Sequence, residues 1–348
     1  MRKNRLWIAV VVLIVVGLLG AGLYFIRYSP PGPARLLPKS EAILYVNLKP
    51  LRVASDFGKE PVIREPEYDE FIKATGFQFE RDLDEMAIAV HAPEEVIGAD
   101  PPHKERRFSE VFVGRFDATR LKHYLHKIAA DVEMYRDNEV FVIPLQGRKV
   151  RVAILSGNSV AVSNSADTEN IQFMIDRYYR GALPIGMNWL LRTQYKHVPF
   201  GSVGWAILEL KAPNGRDTYL PFPDGVNLTL PRNTTTIASV RYTGNVQMQV
   251  EARTGDEKQA AKLHESLSTF LSLFRSVQEN METQGADPDV KKFFDSLDVE
   301  QNGNSVVLKA DLQPGFVKKM VSGPPASTPP ATTAAPESDS VKSRKPKP

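Results

Sequence analysis

The chain contains no cysteine among its 348 residues. Disulfide bonds, zinc–thiolate sites, cysteine nucleophiles and a lipid-modified cysteine are therefore excluded. A folded body of this size then depends on an apolar core, and a hydrophobic content of 42% is enough to build one.

Excess charge of either sign is also scarce, since the formal net charge is +3. Four basic residues flank an N-terminal apolar run, and the last 27 residues carry four basic and two acidic side chains. Without these two segments, the formal charge of the rest of the chain is near −3. This charge offers no surface for phosphate backbones, so we expect no nucleic-acid partner.

The common catalytic motifs are missing as well: P-loop, G-x-G-x-x-G after a strand, H-E-x-x-H and S-x-x-K. Residues 157–161, GNSVA, match the nucleophile elbow G-x-S-x-G/A around Ser159. An elbow needs a strand-to-helix turn, whereas residues 160–163 have the pattern of another strand. The segment is therefore interpreted as a hairpin turn, and no catalytic residue and no cofactor are predicted.

Few residues could bind a metal ion. His123 and His126 share one face of a predicted helix, but lysines flank them and no third ligand follows, which favours a solvated helix face. Acidic patches at residues 65–70 and 82–85 lack the glycine-hinged loop of an EF-hand, so charged first turns of helices are favoured. The remaining histidines are isolated in the sequence: His91, His103, His197 and His264. No metal site is predicted.

Residues 6–26 form an unbroken run of 21 uncharged, mostly apolar residues, the length that a helix needs to cross a hydrocarbon core. Three basic residues precede the run, so the positive-inside rule places residues 1–5 in the cytoplasm and the body outside. A cleaved signal peptide is the alternative, because small residues at 20–22 could form a processing site. The length favours a retained single-pass helix that contacts the lipid bilayer of a bacterial inner membrane and carries a periplasmic domain.

Composition divides the chain into six segments. They are a cytoplasmic N-terminus (1–5), a transmembrane helix (6–26), a Pro/Gly linker (27–36), two α+β modules (37–195 and 196–321) and a Pro/Ala/Thr-rich tail (322–348). The tail has no apolar periodicity and is predicted to be disordered. It is either a solvated segment or a tether to anionic wall polymer or lipid.

Short runs of β-branched and apolar residues recur between the linker and the tail. The predicted strands are 42–48, 86–91, 110–114, 140–144, 150–155, 160–163, 203–210, 236–242, 246–252, 297–301 and 305–310. Gly/Asn-containing turns at 156–158, 243–245 and 302–304 predict hairpins. The sheet is therefore expected to be largely antiparallel.

Three longer helices are predicted from apolar residues at three- and four-residue steps. Residues 254–257, TGDE, match a capping box and precede an apolar stripe between 260 and 281 that includes Phe270. Two further helices begin after Asp117 and Asp167. We expect the long stripe to lie against a sheet rather than in a coiled coil.

The two halves repeat the order strand, strand, helix, hairpin, which predicts an internal duplication. The predicted fold class is α+β: an N-terminal transmembrane helix followed by two tandem modules of largely antiparallel sheet, with helices packed on one face.

In layout the chain resembles the single-pass, periplasm-facing envelope proteins of Gram-negative bacteria. The resemblance rests on the basic N-terminus, the anchor, the repeated α+β domain and the tail, and it carries over no functional residue. It implies residence in the envelope. The expected function is a membrane-anchored interaction or scaffold protein that is not an enzyme and has an envelope protein as its partner. The alternatives are a lipid or lipoprotein carrier with an apolar groove, and an envelope hydrolase with a dispersed site.

Overall fold

The computed structural model describes residues 29–54, 65–95, 104–145, 147–181, 186–210, 218–221, 227–231, 233–282 and 288–313. The predicted transmembrane helix at 6–26 and the predicted tail at 322–348 lie outside these residues. Among the described residues, no helix is long and apolar enough to span a membrane.

The described chain contains sixteen strands and nine α-helices, most of them where the apolar periodicity predicts them. The strands are β1 (Ala42–Asn47), β2 (Leu83–Val90), β3 (Glu94–Glu95), β4 (Lys104–Glu105), β5 (Phe108–Gly114), β6 (Asp131–Tyr135), β7 (Asn138–Leu145), β8 (Arg148–Ser156), β9 (Ser159–Ser163), β10 (Ser202–Leu210), β11 (Thr218–Pro221), β12 (Asn227–Leu230), β13 (Thr234–Tyr242), β14 (Val246–Arg253), β15 (Asp298–Asn302) and β16 (Ser305–Leu312). The helices are α1 (Gly32–Leu36), α2 (Lys49–Ala54), α3 (Pro66–Thr75), α4 (Phe79–Asp82), α5 (Ala118–Ile128), α6 (Glu169–Tyr179), α7 (Trp189–Gln194), α8 (Glu257–Glu282) and α9 (Pro288–Asp295).

Twelve of the strands form one antiparallel sheet in the order β15-β16-β14-β13-β10-β1-β2-β5-β9-β8-β7-β6. The first half of the chain supplies seven neighbouring strands: β1, β2, β5, β9, β8, β7 and β6. The second half supplies the other five. The halves meet where β1 pairs antiparallel with β10, with Leu44 opposite Ala206. Strands β6 and β15 are the free edges of the sheet.

Counted outward from the β1–β10 pair, the first four positions of the sheet have the same strand order in both halves. When the separate hairpins β3–β4 and β11–β12 are left out, the first three strands of each half lie side by side. The third, β5 or β14, pairs with the last strand of its half, β9 or β16. A helix, α5 or α8, follows the third strand in the sequence of each half. The topology therefore agrees with an internal duplication about an approximate two-fold axis between β1 and β10.

The first face of the sheet, on the side of Ile43, is covered by helices. Residues of β1, β2, β5, β10 and β13 on this face are almost completely buried under α1, α6 and α7. Ile43 and its register partner Ile207 both have 0% exposure, as do Ala34 of α1 and Ile175 of α6. This layer is the main core of the molecule.

The second face, on the side of Leu44, is covered at its two ends. At one end, Leu121 and Leu125 of α5 pack on Phe141 and Val152 of β7 and β8. At the other end, Ala260 and Leu263 of α8 pack against apolar residues of β14 and β16. Each end thus has its own small core, and the middle of the face lies between them.

The predicted fold class is wrong in three respects. The sheet is continuous across the predicted boundary between residues 195 and 196, because β10 pairs with β1, so the halves are not two separate sheets. Helices pack on both faces rather than one, since both sides of the sheet are apolar. The predicted N-terminal transmembrane helix is not supported by any described helix. The division into modules 37–195 and 196–321 stays a prediction.

Local predictions also need correction. The side chain of Asp256 accepts a hydrogen bond from the backbone N–H of Gln259, so α8 is capped two residues later than the predicted box at 254–257. Phe270 is only part-buried, whereas its neighbour Leu271 is buried. The apolar face predicted for the helix after Asp117 extends to Val132, but α5 ends at Ile128 and Val132 lies in β6. Residues 32–36 of the predicted linker form α1 and belong to the core.

Candidate functional site

One row of side chains crosses the whole second face from edge to edge. Each member is the direct register partner of the next on the neighbouring strand. The cross-strand row is Val132, Phe141, Val152, Val162, Glu110, Ile88, Leu44, Ala206, Ala238, Val250, Leu308 and Val299. Eleven of these residues are apolar, and the one charged residue is Glu110.

The middle of this face is accessible to solvent. Leu44 has 38% of its surface exposed, although the adjacent Ile43 has 0%. The surrounding side chains are part-exposed, and we call them together the open face: Leu44, Val46, Met86, Ile88, Ala206, Leu208, Ala238 and Val240. A contiguous apolar surface of this kind marks an interaction or ligand-binding site more often than a solvated surface.

The backbone beneath the open face is already hydrogen-bonded. Strands β1, β2, β10 and β13 each have an antiparallel neighbour on both sides, so their N–H and C=O groups pair within the sheet. The open face therefore offers apolar side chains and few hydrogen-bonding groups to an occupant.

Glu110 lies on β5 at the border between the open face and the end covered by α5. Its register partners, Ile88 and Val162, are apolar, and so are its neighbours on the same face, Phe108 and Phe112. Burial raises the pKa of the Glu110 carboxyl, because apolar surroundings disfavour the charged form. Within the described part of the chain, no cation pairs with it. A single glutamate in a strand forms no motif, so the sequence alone does not point to this residue.

A second polar cluster lies within the first face. His91, which is isolated in the sequence, is brought by β2, β5 and β9 next to Ser109 and Ser163. The Nδ1–H of His91 donates to the carbonyl oxygen of Lys39 at 2.9 Å, and Nε2 lies 2.8 Å from the Ser109 hydroxyl. His91 is 7% exposed and Ser109 is 0% exposed. The pair has the contact of a serine–histidine dyad, but its hydroxyl is closed to solvent.

The structure keeps the other candidate residues apart. Ser159 starts β9 directly after the turn that joins it to β8, so the predicted hairpin is confirmed. His126 lies 3.1 Å from Glu139, and among the described residues no three His, Asp or Glu side chains are placed to hold a metal ion. His123 is exposed on α5.

The acidic patches belong to ion pairs and helix termini. Glu67 and Asp69 lie in the first turn of α3, as predicted. The same prediction is wrong for Asp84 and Glu85, which lie in β2. The carboxylates at 82–85 each have a partner from the protein. The pairs are Arg81–Asp82 at 2.6 Å, Arg52–Asp84, and the hydroxyl of Tyr45 donating to Glu85 at 2.9 Å.

A small pocket of about 100 Å³ lies beside Trp205. Tyr195, Pro199 and the exposed Phe200 contribute to its lining. Pockets for drug-sized ligands have volumes of roughly 300 Å³ or more. The open face is therefore the better candidate site.

Comparisons with known proteins give no family. No protein-family model matches the chain, and no curated protein sequence matches it significantly. Among solved structures, crystal forms III and I of TP0453 are similar, each at 9% sequence identity over 84% of this chain. They are covered over 99% and 97% of their own length, with TM-scores of 0.45 and 0.43. Likeness at this level is too weak to assign a function.

Proposed function

We propose that this protein is a non-enzymatic binding protein whose open face takes up the hydrocarbon chain of a lipid or of a lipid-modified protein. The observation that carries the proposal is the cross-strand row, which is buried under α5 at one end, partly covered beside α8 at the other, and accessible around Leu44. Covering this surface with hydrocarbon would stabilise the complex by about 25 cal/mol per Å² of apolar area removed from water.

The chemistry of the open face supports a hydrocarbon occupant over a partner strand. A hydrocarbon chain forms no hydrogen bonds, and the backbone N–H and C=O groups below it are already paired within the sheet. A strand from another protein would add to a free edge, and the edges at β6 and β15 are five or six strand spacings from β1, roughly 25 Å away.

The buried dyad supports a non-enzymatic protein over a hydrolase. A nucleophilic serine must meet its substrate, whereas Ser109 is fully covered. In a catalytic triad a carboxylate accepts the hydrogen bond from the histidine, whereas here a backbone carbonyl oxygen accepts it from His91. The His91–Ser109–Ser163 chain therefore has a structural explanation: it satisfies polar groups that the packing of α1 buries.

An extracytoplasmic location is part of the proposal. Its support is the uncharged run at residues 6–26 and the three basic residues before it, a pattern that directs export whether or not the segment is later removed. The scaffold function expected from the sequence, with an envelope protein as partner, stays a prediction.

Binding of decanol, measured by isothermal titration calorimetry, tests the proposal. Ala206→Phe places a ring in the middle of the row and should weaken decanol binding about tenfold, a loss of roughly 1.4 kcal/mol. Ala261→Phe adds the same ring at an exposed position of α8 and should leave binding unchanged. Failure of the wild type to bind decanol, or equal losses in both variants, would overturn the proposal.

A photoreactive amino acid in place of Ala206 extends the test to cells. The expected product of irradiation is a lipid adduct, identified by mass spectrometry of the purified protein. An adduct to the polypeptide of another protein, rather than to a lipid or to the lipid group of a modified protein, would overturn the hydrocarbon proposal in favour of the scaffold function.

A further inference from the structure

We infer that Glu110 binds the head group of the amphiphile, that this head group is a cationic amine, and that the chain lies over Ile88, Leu44 and Ala206. The inference rests on the proposed function, because it assigns the two ends of the ligand to two parts of the same row.

The row has the layout of an amphiphile. Its accessible part runs from one carboxylate, Glu110, over four apolar residues in succession to Ala238 on β13. Four strand spacings separate these two ends, about 19 Å in all. A ligand with one polar end and one extended apolar end matches this order of side chains.

The surroundings of Glu110 explain why its partner should come from the ligand. Its four nearest neighbours on the second face are apolar, so they cannot donate a hydrogen bond to the carboxylate. Glu110 is part-exposed, so a ligand can reach it. A cation there would favour the charged form that burial disfavours, whereas an anionic head group would be repelled.

The approximate two-fold relation between the halves shows that this carboxylate is a local feature. The axis exchanges Leu44 with Ala206, Ile88 with Ala238, and Glu110 with Val250, which occupies the matching place on the third strand of the second half. The second half therefore presents an apolar residue where the first presents a charge. Only one orientation of the ligand then places a cation next to a carboxylate.

Calorimetry with three ten-carbon ligands tests the inference: decylammonium, decanol and decanoate. We expect the wild type to bind decylammonium about tenfold more tightly than decanol, and decanoate most weakly, because a charge-assisted hydrogen bond forms only with the amine. Glu110→Gln should remove the preference for decylammonium over decanol. Glu265→Gln is the control, since it removes the same charge from an exposed position of α8.

The outcomes separate the two proposals. Binding of all three ligands with equal affinity would overturn the role of Glu110 and leave the hydrocarbon site intact. Binding of none would overturn the proposed function itself. A wild-type measurement gives a second test that does not depend on the folding of the variant: the preference for decylammonium should disappear when acid protonates Glu110. Persistence of the preference in strong acid, with the protein still folded, would contradict the inference.

Discussion

Two consecutive residues of β1 allow the core and the open face to be tested separately. Ile43 points into the first face with 0% exposure, and Leu44 points into the second with 38% exposure. Replacing each by alanine removes a side chain of the same size from the same strand. We expect Ile43→Ala to destabilise the fold and Leu44→Ala mainly to weaken ligand binding.

The magnitudes follow from the surroundings of the two residues. Ile43 lies opposite Ile207 and Ala89, which are both fully buried, so its removal leaves a cavity that its neighbours cannot fill. The cost should be about 3–4 kcal/mol of unfolding free energy. Leu44 is already partly in water and leaves no closed cavity, so its replacement should cost about 1 kcal/mol.

Urea unfolding followed by circular dichroism measures the first effect, and titration of the folded variants with decanol measures the second. Leu44→Ala should weaken decanol binding about fivefold, since it removes roughly 1 kcal/mol of contact. Ile43→Ala should leave the affinity of the folded protein unchanged.

Equal losses of unfolding free energy in the two variants would refute this reasoning. They would mean that Leu44 is as tightly packed in solution as Ile43, so that the second face is closed in its middle. Unchanged decanol binding by Leu44→Ala would also place the ligand elsewhere.

Two further predictions concern pH and location. Burial lowers the pKa of His91, so the fold favours its neutral form; stability should be complete above about pH 6.5 and should fall as the pH drops below that value. His91→Gln should lose much of this acid sensitivity in urea unfolding at pH 7.5 and 5.5, and an unchanged pH dependence would assign it to other groups. A reporter enzyme that is active only outside the cytoplasm, fused after Gly315, should be active in cells, and an inactive fusion of normal abundance would contradict export.

The sheet was largely predictable because its strands are short, rich in β-branched residues and separated by turns. The runs predicted at 42–48 and 203–210 match β1 and β10 to within a residue. Their pairing with each other was not predictable, since it joins residues about 160 positions apart in the sequence and no local pattern encodes the partner. For this reason the sequence could not show that one sheet continues from residues 37–195 into residues 196–321.

The open face could not be predicted from the sequence for a related reason. The sequence AILYVN of β1 is apolar on both sides, which is also the pattern of a strand buried on both faces. Only the positions of α5 and α8 leave Leu44 accessible, and helix positions follow from topology. His91 shows the same limit, because strand pairing brings it to a serine 18 residues away.

Both free edges of the sheet, β6 and β15, carry acidic side chains. Strand β6 carries Asp131 and Glu133, and β15 carries Asp298 and Glu300, so each edge alternates acidic residues with valine. If two copies met edge to edge, their carboxylates would face one another across the new pair of strands, and like charges in register repel. A sheet that is broad and apolar on both sides therefore has charged borders that resist its growth into a longer assembly.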